Sequence, residues 1–71
     1  MEYLLVHFPA SRRVKVGNVF QGKTEELIEL EAGTYTITLD EPPINFTPKK
    51  QEVRLAGTTP LSPREVTFAQ R

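Results

Sequence analysis

Few side chains of this 71-residue chain have types and spacing that could do chemistry. The absence of cysteine excludes thiol nucleophiles, disulfides and thiolate metal sites. The one histidine, His7, cannot make a zinc site by itself, and it lies in the apolar run Tyr3–Phe8. Ser11 and Ser62 fall in turn-like stretches. A Ser-His-Asp arrangement through Asp40 can be drawn, but neither serine has a nucleophile-elbow context. No catalytic, metal-binding or cofactor-binding residue is therefore assigned, and the expectation is a non-enzymatic protein without a cofactor.

Three further groups of residues carry charge or hydroxyls. Glu25, Glu26, Glu29 and Glu31 form an acidic segment that could hold a cation or dock a basic partner. No Asp-x-Asp-x-Asp-Gly loop is present to indicate calcium. Arg12, Arg13 and Lys15, with Lys49, Lys50 and Arg54, would form a basic patch for phosphate or an acidic partner if their strands were adjacent. The plainer expectation is that the two groups pair across neighbouring strands, each pair contributing roughly 0.2–1 kcal/mol. The even charge balance favours this: nine basic and nine acidic residues cancel. Zero net charge gives no argument for nucleic acid, and no aromatic pair among the basic residues offers base stacking. Thr34, Thr36 and Thr38, extended by Thr47, would make a hydroxyl platform of the kind that binds carbohydrate or ice. Such platforms usually carry aromatic companions, and here there are only two tyrosines and no tryptophan.

The elements that position these residues read as strands. The segment Glu29–Leu39 is the clearest: Thr34, Thr36 and Thr38 alternate with Tyr35, Ile37 and Leu39, so hydroxyls and apolar groups take opposite faces. Gly33 stands at hairpin spacing, and the pattern predicts a hairpin with Leu30 and Tyr35 flanking its turn. Thr24–Glu31 is read as the first arm of that hairpin, with a short helix capped by Thr24 as the alternative. Tyr3–Phe8, apolar on both faces, predicts a central strand ended by Pro9. Arg13–Val16, Lys49–Leu55 and Arg64–Phe68 are half-buried strands, and Val19–Phe20 is a brief extended piece. Gln21-Gly22-Lys23 is a turn. Ile44 and Phe46 are placed in a loop capping one end of the core. Short strands at regular spacing predict one domain spanning 1–71. Its expected fold is a small all-β antiparallel sandwich of six to seven strands.

Arg13–Leu55 resembles the PEGA domain. Val14 and Val16 stand at its first strand, Gly17-Asn18 at its turn, and Gly22 with Thr24 at its second turn. Ile28 and Leu30 match the next strand, and Ala32-Gly33-Thr34-Tyr35-Thr36-Ile37 matches the family's most recognisable run. Phe46, Val53 and Leu55 match its closing part. The resemblance implies a prealbumin-like β-sandwich, usually a non-catalytic module. Such modules occur in bacterial surface or envelope proteins and next to signalling domains.

These readings converge on a non-catalytic module acting through protein–protein contacts, with self-association included and carbohydrate or another envelope ligand as the alternative. Leu5, Val19 and Phe20 are apolar residues with no evident interior place, and with Thr34, Thr36 and Thr38 they make the candidate interaction surface. Free sheet edges are the other candidate. No signal-peptide pattern and no stretch of about 20 apolar residues is present, so membrane insertion is not expected. The chain as written is expected in the cytoplasm, or in the envelope if it is a piece of a larger protein.

Overall fold

The computed structural model describes residues 1–41 and 45–71. The chain forms strands β1 (Glu2–His7), β2 (Arg13–Val16), β3 (Val19–Lys23), β4 (Leu27–Leu30), β5 (Gly33–Leu39), β6 (Phe46–Thr47), β7 (Gln51–Leu55), β8 (Arg64–Thr67) and β9 (Ala69–Gln70). No helix occurs among the described residues. The helical alternative for 24–31 is thereby overturned: Thr24–Glu26 turn the chain, and only Leu27–Leu30 are extended. The expected cap from Ile44 lies outside the described residues.

Two sheets face each other. One has the order β4-β1-β8 and the other β3-β2-β5-β7, while β6 and β9 form a small third pair. Period-two patterning chooses the faces. In the first sheet Leu4, Val6, Ile28, Leu30 and Val66 point inward; in the second Val14, Val16, Ile37, Leu39, Val53 and Leu55 do. The doubly apolar β1 takes the centre of its sheet, as its composition predicts.

The pairings differ from the expectation in two ways. β4 does not pair with β5. It pairs with β1, with Leu4 opposite Ile28 and Tyr3 opposite Glu29. β5 lies in the other sheet between β2 and β7. Glu31 and Ala32 therefore carry the chain from one sheet to the other instead of closing a hairpin. Alternation fixes which side chains go inward but not which strand lies alongside, so a sheet crossing and a hairpin share the same pattern. The sandwich is also not wholly antiparallel, since β1 and β8 run parallel, with Val6 opposite Val66.

One end of the core is aromatic. Phe46 is fully buried between Phe8 and Phe68, edge-on to both at centroid distances of 6.3 and 5.8 Å. The Arg12 guanidinium lies over the Phe8 and Phe46 rings and donates to the Asp40 carbonyl and to Asn45 Oδ1.

A second crossing, at Thr24–Glu26, takes the chain from β3 to β4 and so between the sheets. Thr24 is the one polar side chain buried with the core among the described residues. Its hydroxyl donates to the Ala10 carbonyl and accepts from the Arg12 N–H, both at 3.0 Å. The Thr24 N–H donates to the Arg12 carbonyl, and the next amide, of Glu25, donates to the Val6 carbonyl. Just before the crossing β3 runs so close to β4 that only glycine fits: a Cβ on Gly22 would stand 2.8 Å from Ile28 Cγ1.

Thr24→Val keeps the shape but removes the hydroxyl that accepts from the Arg12 amide and donates to the Ala10 carbonyl. It is expected to lower unfolding free energy by about 1–3 kcal/mol. Thr24→Ser, which keeps the hydroxyl, is expected to lose clearly less. Urea titration of the three proteins measures both.

Candidate functional site: a cleft between two strand edges

Chain order places β3 at the edge of one sheet and β4 at the edge of the other, joined by the Thr24–Glu26 turn. They touch at Gly22 and Ile28, then diverge. A cleft of about 590 Å³ opens at the far end of the two strands. Leu30 of β4 itself, with Val16 of β2 and Tyr35 of β5, gives it apolar surface. Val19 and Met1, 56% and 70% exposed, extend that surface outward. Gln21, Glu29, Glu31, Thr34 and Thr36 supply the polar part of the lining. The Tyr35 hydroxyl donates to the Glu31 carbonyl at 2.6 Å, which holds the ring across the end of the sandwich.

The candidate surface residues separate into three places. Val19 lines the cleft. Phe20 stands opposite Lys15 on the outer face of the four-stranded sheet, and Thr38 lies on the other side of Lys15. Phe20 is 45% exposed, and the Arg13 guanidinium sits over its ring at 4.2 Å. Thr34, Thr36 and Thr38 share this face, with Thr34 opposite Arg54 and Thr36 opposite Glu52. Thr36 and Thr34 also reach the cleft, whereas the Thr38 hydroxyl donates to the Lys49 carbonyl. Leu5 lies on the opposite outer face, between Leu27 and Glu65. The six residues thus form no single surface; Val19 belongs with the edges, and Phe20 and Thr38 with the lysines.

A side-chain cluster that the sequence reading did not assemble surrounds His7. Nδ1 lies 2.7 Å from Glu25 Oε1, and Nε2 lies 2.8 Å from Glu65 Oε1. Residues 7, 25 and 65 meet because β8 pairs parallel with β1 and because the crossing turn is tied to Val6. No local pattern signals this. Glu25 takes a left-handed backbone, φ 61°, which is uncommon outside glycine and asparagine. An imidazolium has two N–H donors, one for each carboxylate, whereas neutral imidazole has only one. The hydrogen bond to Glu65, then that to Glu25, accordingly raises the His7 pKa above 6.5. With both ring nitrogens held by glutamates and Asp40 bound by Arg13, the conceivable Ser-His-Asp arrangement is not assembled. Among the described residues no group of three or more His, Asp or Glu side chains is placed to hold a metal ion. Nor is any helix long and apolar enough to cross a membrane.

No protein family, curated protein or solved structure matches the chain.

A histidine whose pKa is raised by folding stabilises the fold fully below its unfolded pKa, near 6.5, and loses that contribution as pH rises through the folded value. Unfolding free energy is therefore expected to fall with pH across that interval. Glu65→Gln and Glu25→Gln should each lower the His7 pKa and flatten the fall. Titration of the imidazole resonances by NMR, beside urea midpoints at each pH, measures both effects.

Proposed function

We propose that this domain is a non-catalytic interaction module that binds an extended segment of a partner protein at the cleft between β3 and β4. The supporting observation is the coincidence of two strand edges with apolar surface. β3 and β4 each end a sheet, so each presents N–H and C=O groups on its outer side. The cleft lies where they diverge, with Val16, Leu30 and Tyr35 available to alternate side chains of an added strand. Main-chain hydrogen bonds would supply affinity and the apolar positions would supply selectivity. Glu29 and Glu31 on the lining favour a segment carrying basic residues.

The resemblance of Arg13–Leu55 to PEGA domains, which implies a non-catalytic module, agrees with this reading. The arrangement of the titratable groups agrees as well: His7 and Asp40 are engaged by charged neighbours and neither lines the β3–β4 cleft. The carbohydrate alternative receives less support. The threonine row has one aromatic neighbour on its face, Phe20, and a guanidinium covers that ring.

Peptides selected on the domain from a displayed random library test the proposal. Extended peptides with alternating apolar residues are expected to shift the amide resonances of Val19–Gln21 and Glu29–Glu31. Val19→Asp, a substitution at an exposed position, should weaken them about tenfold or more. Failure to select any peptide, or peptides that bind the variant unchanged, would contradict the proposal.

A further inference from the structure

The two outer faces of the sandwich carry opposite charge, which reverses the expectation that the acidic and basic residues pair. β4 takes Glu29 to the outer face of the three-stranded sheet, where Glu65 of β8 also stands, with Glu31 at the strand's end. Arg13 and Lys15 of β2, Lys23 of β3 and Arg54 of β7 stand on the outer face of the four-stranded sheet. The described acids of that face are Glu52, opposite Thr36, Glu41, and Asp40, which is already bonded to Arg13. Among the described residues no carboxylate lies within 4.0 Å of the amine of Lys15, Lys49 or Lys50. These three lysines converge on one concavity of about 470 Å³ with Asn18, Thr36 and Thr38, and Glu41 is its single acid. The chain's zero net charge thus conceals an uneven distribution of charge between its two outer faces.

We infer that the basic concavity around Lys15, Lys49 and Lys50 is a docking surface for the acidic outer face of a second copy of this chain. Charge complementarity selects the occupant. The acidic face offers Glu29 and Glu31 beside Leu5 and Leu27, with Glu65 on the same face bonded to His7, and the basic face offers hydroxyls and Phe20 beside its lysines. Both faces have apolar area to bury: Leu27 is 44% exposed and Phe20 45%. No net charge opposes the approach. Because the two faces are different and lie on opposite sides, the contact is head-to-tail. Each docked copy leaves one acidic and one basic face free, so the product is an open stack and not a closed dimer. Lys15, Lys49 and Lys50 lie outside the β3–β4 cleft, whereas Glu29 and Glu31 also line it, so a copy docked on the acidic face would cover part of that cleft.

Sedimentation velocity with charge-reversed chains tests the inference. At about 20 mM salt the natural chain is expected to form a concentration-dependent series of species, and at about 500 mM salt, where the Debye length falls below ~5 Å, a monomer. K15E/K50E has two acidic faces and E29K/E31K two basic ones. Each is expected to be monomeric alone, and an equimolar mixture to associate. Both pairs of substitutions are at residues outside the hydrophobic core, and circular dichroism verifies that the variants are folded. A natural chain that stays monomeric at low salt, one that stops at a closed dimer, or reversed variants that associate as before would each overturn the inference.

Discussion

The buried hydroxyl of Thr24 ties down the point at which the chain leaves one sheet for the other, and the rest of the molecule follows from that crossing. A hydroxyl in a thin apolar core is unfavourable unless both its roles are filled. Here the Ala10 carbonyl and the Arg12 amide fill them, and the two amides at the crossing add bonds to Arg12 and Val6. The crossing is thereby joined to β1 and to the connection between β1 and β2. β4 pairs along β1, and β5 returns to the other sheet. The two edges that flank the cleft are consequences of this one turn.

The same crossing distributes the charge. Had the acidic segment run beside β5, Glu29 and Glu31 would have faced the basic strands, and the charges would have cancelled locally. Sent to the far sheet, they leave Lys15, Lys49 and Lys50 without a carboxylate partner among the described residues and place Glu29 on the face that carries Glu65. The clamp on His7 arises likewise: Glu25 reaches the histidine because the turn that carries it is anchored to Val6, beside His7 in β1. A connection of three residues therefore influences pairing, edges, electrostatics and the clamp on His7.

What was legible in the sequence follows from what a strand pattern encodes. Alternation placed Val14, Val16, Ile37, Leu39, Val53 and Leu55 inward, and they form the core with Tyr35 packed against it. The doubly apolar Tyr3–Phe8 run correctly marked a central strand. Partner choice was not legible, because Gly33 at hairpin spacing serves a sheet crossing equally well. The parallel β1–β8 pair joins residues nearly the whole chain apart, beyond the reach of any local signal. Thr24–Glu31 reads as a strand, with a helix capped by Thr24 as the alternative; extension is confined to Leu27–Leu30, and the glutamates' helix propensity is overridden by the burial of Thr24, Ile28 and Leu30. Gln21-Gly22-Lys23 read as a turn, whereas Gly22 serves close packing on Ile28 inside a strand. The cleft was foreseeable only as a free edge and an unplaced Val19; its other walls, Val16, Leu30 and Tyr35, were assigned wholly to the core.

The central claim is that the Thr24 crossing pairs β4 with β1 and leaves β3 and β4 as edges. A NOESY spectrum of the isotope-labelled chain tests it most directly. Cross-strand backbone contacts between Tyr3 and Glu29 and between Leu5 and Leu27 are predicted, with no ladder between β4 and β5. A continuous ladder from Leu30–Tyr35 outward along β4 and β5 would contradict the account.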